Sequence, residues 1–201
     1  MQLFHSPMSR SSRILWLLEE LQLPCDIVSV TISRRDGSGG PDPSNPHPDK
    51  KVPALVDEGV LITESIAIIQ YLCEKRPDSP MAPAPGSKQR GPWLTWLAWY
   101  AGVYEPVIGF QFAGVGDNPV LYSGFRGREE VDMRLRTALE EGPWLVGEEF
   151  TAADLIFASA GQWAREILPQ GSVVDEWLAR SQERPAYRRA AEREQELMDG
   201  E

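Results

Sequence analysis

The chain has 201 residues, 42% of them hydrophobic, enough to bury the core of one compact unit or of two small domains. Its 20 basic and 30 acidic residues leave a net charge of −10, the opposite of the clustered Lys and Arg that phosphate binding needs, so no nucleic-acid partner is expected. No apolar run reaches the roughly 18 residues of a membrane span and the opening Met-Gln-Leu-Phe-His lacks signal-peptide character, so a soluble, cytoplasmic protein with no membrane attachment is expected.

Residues 2–5 read as a short strand. Over 9–23 the apolar residues Ile14, Leu17, Leu18 and Leu21 recur at helical spacing, and Pro24 ends that helix. Residues 25–32 alternate as a second strand, while 33–48 are dense in Gly, Pro, Ser and Asp and read as a surface loop. Two strands follow at 53–57 and 60–63, then a helix over 64–76 with Ile66, Ile69, Tyr71, Leu72 and Cys73 on its buried side. The order βαβ then ββα is that of a thioredoxin-like domain, α/β in class, placed at 1–77. The Pro- and Gly-rich stretch 78–86 reads as a stiff connector. Beyond it no strand pattern appears. Helices are expected near 87–113, 124–141, 152–167, 173–182 and 185–198, so that 87–201 forms an all-helical second domain. Within it, Thr151 and Asp154 form a capping box that starts a buried helix. The two cysteines, Cys25 and Cys73, make neither a disulfide framework nor a metal-ligand spacing, and read as small apolar fillers.

The most specific chemistry lies at Lys51-Val52-Pro53-Ala54-Leu55, followed by Leu61-Ile62-Thr63-Glu64-Ser65 at the mouth of a helix. A proline at the first position of a strand has no N–H for the ladder, and Val52 before it can offer its own N–H and C=O to an extended peptide. The helix start at Glu64-Ser65 has N–H groups to receive a carboxylate. The expected ligand is peptide-like and anionic.

Lys-Val-Pro-Ala-Leu followed by Glu-Ser-x-Ala-Ile resembles the glutathione-binding half of the cytosolic glutathione transferases, and the likeness extends over nearly the whole chain, through the Gly147 and Thr151-x-x-Asp154 box and the closing 177–188 segment. The resemblance implies Ser65 on the γ-glutamyl carboxylate, Glu64 toward the ligand's amino group, and Lys51 with His47 near the glycyl carboxylate. It implies no metal and no tightly bound cofactor, glutathione serving as co-substrate, and a homodimer.

A thiol of pKa near 8.5 must be stabilised as its anion to attack at neutral pH. Ser9, just after the first strand, combines a hydroxyl with the N-terminal end of the first helix. Ser9-x-x-Ser12-Arg13 resembles the serine-type transferases, theta and delta among them, in which the first serine activates glutathione. Ser9 could instead be only a cap, and Ser11 is the rival hydroxyl. Related members carry cysteine where this chain has Arg10, which disfavours disulfide reduction through that position. His5 stands where several classes have tyrosine and reads as a packing or hydrogen-bonded residue. Arg13 reads as an exposed helical arginine. The aromatic stripe 93–112 is the expected wall of an apolar co-substrate site, with Tyr100 and Tyr104 on one face and Met8 opposite. The expected activity is transfer of glutathione to apolar electrophiles; a glutathione-dependent isomerase or dehalogenase, or a non-catalytic glutathione-binding module, are the alternatives.

Overall fold

The computed structural model describes residues 1–161 and 164–200. The chain divides into two compact units, one formed by Met1–Ser79 with the segment from Glu183 onward, the other by Pro80–Gln182.

The first unit contains β1 (Gln2–His5), α1 (Ser12–Leu21), β2 (Asp26–Ser29), β3 (Ala54–Asp57), β4 (Val60–Thr63) and α2 (Ser65–Glu74). The strands order as β2-β1-β3-β4, with β1 parallel to β2 and both remaining pairs antiparallel. This is the expected thioredoxin-like arrangement. Leu3 pairs with Leu55 at the sheet centre, both fully buried. The loop at 33–48 forms neither helix nor strand.

Three details differ from the sequence reading. The first helix starts at Ser12, three residues late, because Ser9 to Ser11 form a separate turn in which the Ser12 N–H donates to the Ser9 carbonyl at 3.1 Å. In α2 the buried set is Ile68, Ile69, Leu72 and Cys73; Ile66 is only half-buried, and Tyr71 leans out to donate to Asp57 at 2.7 Å. Arg13 is not solvated but 1% exposed, on a helix that is buried nearly all round.

The reason α1 is buried so fully is α9 (Pro185–Asp199), which packs along it. Trp16 meets Tyr187 edge to face at 5.0 Å, and Arg184 clamps Glu20 through two bonds of 2.6 and 2.8 Å. The expected assignment of 87–201 to one helical domain is therefore corrected: the closing helix belongs to the first unit.

Among its described residues the second unit contains helices and no strand, with one isolated bridge between Trp144 and Gly147. Its helices are α3 (Arg90–Trp99), α4 (Glu105–Phe112), α5 (Pro119–Phe125), α6 (Arg128–Glu141), α7 (Ala152–Ala160) and α8 (Ser172–Gln182). A π turn at Tyr100–Tyr104 joins α3 to α4. Pro106 lies two residues beyond it in the first turn of α4, and the wide turn before it accommodates the missing N–H and the ring that a regular continuous α-helix would not. Arg126, at φ 71°, separates α5 from α6 and breaks the single helix expected at 124–141. Of the helix expected at 152–167, α7 covers the first part and Arg165–Ile167 form a 3-10 turn; residues 162 and 163 lie outside the described residues. The stretch 80–85 is no free connector, since Met81 is buried and its carbonyl accepts Trp93 Nε1 at 3.1 Å and the Ala152 N–H at 2.9 Å.

The capping box forms as read. Thr151 Oγ1 accepts the Ala153 N–H at 3.2 Å, and Asp154 accepts the Thr151 N–H at 3.1 Å. Asp154 is fully buried and also receives the Leu145 N–H and Trp177 Nε1.

Candidate glutathione site

The sheet register gathers the sequence motifs at one end of the first unit. Phe4, next to the end of β1, pairs with Ala54 at the start of β3, and Ala54 pairs with Thr63 at the end of β4. The turn after β1, the Val52-Pro53 entry to β3 and the Glu64-Ser65 entry to α2 therefore leave the sheet together.

The β3 entry is shaped by a residue that the sequence did not single out. Asn45 is completely buried; its Oδ1 accepts the His47 N–H at 3.0 Å and its Nδ2 donates to the Lys51 carbonyl at 3.0 Å. His47 is buried as well, and its Nδ1 accepts the Asp49 N–H at 3.0 Å. Lys50 turns back to the Asn45 carbonyl at 2.6 Å, whereas Lys51 is exposed. The Val52-Pro53 bond is cis. Neither the N–H nor the C=O of Val52 has a backbone partner among the described residues, so both are available to an added strand.

At the α2 entry Glu64 is exposed and holds φ 66°, ψ 122°, a region that a residue with a Cβ rarely occupies and that costs about 1–3 kcal/mol. Ser65 follows half-buried as the first helical residue.

The turn after β1 carries a chain of hydroxyls. Ser9 is half-buried, and its Oγ donates to the Ser6 carbonyl at 2.6 Å and lies 2.8 Å from Ser11 Oγ. Ser11 Oγ lies 2.8 Å from His5 Nδ1. Ser11 and His5 are both 0% exposed. Burial, assisted by Arg193, lowers the His5 pKa to about 4, so the ring is neutral at physiological pH. Met8 is 52% exposed at φ 56°, its N–H donating to Glu194 at 2.7 Å. Arg34, from the long loop, fastens the same turn through Ser6 Oγ at 3.1 Å and the Pro7 carbonyl at 2.9 Å. Neither Arg34 nor Glu194 carried a sequence signal, because their destinations are set by long-range packing.

Tyr100 and Tyr104 require correction as pocket residues. They stack one turn apart, as the spacing implied, but they are 2% and 0% exposed and pack around Phe157 in the core of the second unit. The Tyr104 hydroxyl is committed to the Ile167 carbonyl at 2.7 Å, and burial pushes its pKa well above the usual phenol range. Cys25 and Cys73 are buried, as apolar fillers should be, and burial raises the Cys25 thiol pKa. Among the described residues no three His, Cys, Asp or Glu side chains converge to hold a metal ion, and no helix is long and apolar enough to cross a membrane.

Residues 3–80 match the glutathione S-transferase N-terminal domain. The glutathione S-transferase GstA of Escherichia coli O157:H7 is 30% identical over 83% of this chain and 84% of its own length. The disulfide-bond oxidoreductase YfcG of Escherichia coli K12 is 28% identical over 92% and 91%. A sphingomonad glutathione S-transferase, solved in complex with glutathione, superposes with a TM-score of 0.77 at 24% identity, covering 96% of this chain and 98% of that one, a likeness of fold. The chain belongs to the glutathione S-transferase family.

Proposed function

We propose that this glutathione S-transferase is of the serine type, with Ser9 donating its hydroxyl hydrogen to the sulfur of glutathione and so favouring the thiolate that attacks an apolar electrophile. The observation that carries the reading is differential exposure. Ser9 is half-buried while its rival Ser11 is 0% exposed, so Ser9 is the hydroxyl a ligand can reach. The tripeptide backbone pairs with the open N–H and C=O of Val52 beside Pro53, its γ-glutamyl carboxylate meets Ser65 at the start of α2, and its amino group faces Glu64. Lys51, exposed at the other end, takes the glycyl carboxylate. His47 acts there mainly by shaping the loop, since its Nδ1 is already in use. Met8 stands exposed beside Ser9 as one apolar surface for the co-substrate. The family habit is the homodimer, and the same is proposed here, together with a cytoplasmic location.

Disulfide exchange, the activity named for YfcG, would have to run through bound glutathione in this chain, because Arg10 occupies the motif position and both cysteines are buried. The test is retention on immobilised glutathione followed by assay with a chloronitrobenzene. Turnover that collapses in Ser9→Ala, with loss of the ultraviolet absorption of the bound thiolate, supports the reading; a bound sulfur that ionises as before in Ser9→Ala overturns it.

A further inference from the structure

We propose that His5 and Ser11 are positioning residues that fix the direction of hydrogen bonding at Ser9, leaving the Ser9 proton as the one that can be given outward. The inference rests on Ser9 being the hydroxyl that meets sulfur.

The argument begins at the buried end of the chain. His5 Nδ1 lies 2.8 Å from Ser11 Oγ, whereas its Nε2 is buried with no hydrogen-bond partner among the described residues. Arg193 on α9 is the charged group acting on this ring, and with burial it keeps the imidazole neutral and limited to one proton. A proton on Nε2 would be an orphaned buried donor, bearing its full desolvation cost. On Nδ1 it makes a bond and leaves only a lone pair orphaned. His5 Nδ1–H therefore donates to Ser11.

Ser11 Oγ also receives the Ser6 N–H at 3.2 Å, which fills its two acceptor positions. Its own hydrogen then goes to Ser9 Oγ at 2.8 Å rather than to the Ser6 carbonyl at 3.3 Å. Ser9 Oγ receives that hydrogen and the Ser11 N–H at 3.2 Å, so it too is full as an acceptor. Its remaining hydrogen points to the Ser6 carbonyl at 2.6 Å and swings to sulfur when glutathione binds. Successive donors polarise one another, which makes Ser9 a stronger donor than an isolated serine. The opposite tautomer would reverse the chain, with Ser11 donating to His5 and Ser9 drawn to donate to Ser11.

The chain has only two histidines, and His47 supplies an internal control, since its Nδ1 accepts the Asp49 N–H and its proton must sit on Nε2. Imidazole 15N NMR of the wild-type protein, assigned with His5→Asn, is expected to show His5 protonated on Nδ1 and His47 on Nε2. The second readout is the pKa of bound glutathione, followed by thiolate absorption. His5→Leu is expected to raise it by about one unit, a roughly tenfold loss of thiolate below the pKa, with glutathione affinity within about threefold of wild type. His5→Asn places an amide N–H near the Nδ1 position and is expected to recover at least half of that shift. A proton on His5 Nε2, or an unchanged thiol pKa in a folded, glutathione-binding His5→Leu, overturns the inference. Unchanged ionisation in Ser9→Ala overturns the serine reading and this inference with it. Should His5→Leu fail to fold, the wild-type tautomer alone decides.

Discussion

The Glu194 carboxylate accepts the Ser12 hydroxyl at 2.6 Å across 182 residues of sequence, and the same oxygen accepts the Met8 N–H at 2.7 Å. The closing helix thus holds the first turn of α1 and the bend that carries Ser9. Two bonds to a charged acceptor are worth about 1.5–3 kcal/mol each where they are shielded, and less where water competes.

Glu194→Ala should therefore lower stability by about 1–2 kcal/mol and cut kcat/KM for glutathione conjugation several-fold, because the Ser9 turn loses one of its anchors and its hydroxyl is held less closely in position. Urea unfolding and steady-state kinetics on one preparation would check both. A variant with wild-type kinetics would show that the turn is held without α9.

Asn45→Ala removes both ends of a buried bridge, leaving the His47 N–H and the Lys51 carbonyl without their partner. Loss of such a pair costs about 2–4 kcal/mol, spent largely in disordering the segment that presents Val52. Calorimetric titration with glutathione is expected to show at least a tenfold weaker dissociation constant, with the helical second unit unaffected by circular dichroism.

Two buried titrations oppose each other in acid. The folded pKa of His5, about 4, lies below its unfolded value of 6.5, so the unfolded chain binds more protons between those values and stability is lost as pH falls through them. Asp154 does the reverse. Burial lifts its pKa from 3.8 to about 6 against four donated hydrogen bonds, so over that window its contribution to stability declines as pH rises. Each spans about 3 kcal/mol by linkage. Urea midpoints of Asp154→Asn at pH 4.5 and 7 should show a steeper acid loss than wild type, and His5→Leu a shallower one. Parallel behaviour of the three proteins would remove both groups as the source.

Tyr104→Phe tests the corrected role of the tyrosines. The Ile167 carbonyl keeps a second donor, Arg128 at 3.1 Å, so the change should cost only about 1 kcal/mol of stability. KM for an apolar electrophile is expected to stay unchanged. A large KM effect would return Tyr104 to the co-substrate site.

How much could be read beforehand depends on the range of the forces involved. Turn and strand chemistry is local, so the Thr151-Asp154 box was legible within a few residues, Val52-Pro53 and Glu64-Ser65 marked the start of a strand and of a helix, and the element order followed from apolar spacing. The amino-acid sequence by itself determined the sheet-and-helix order of the first unit, the helical character of the second, and the family. Tertiary structure alone decided that Ser9 is half-buried and Ser11 fully buried, that α9 lies on α1, that Tyr100 and Tyr104 turn inward, that Asn45 braces the segment ahead of Val52, and that Arg34 and Glu194 fasten the turn after β1. The physical reason is that periodicity marks which face of a helix is apolar without naming what covers it. A polar side chain in a loop is committed only when a partner distant in sequence arrives, as Glu194 does at Ser12.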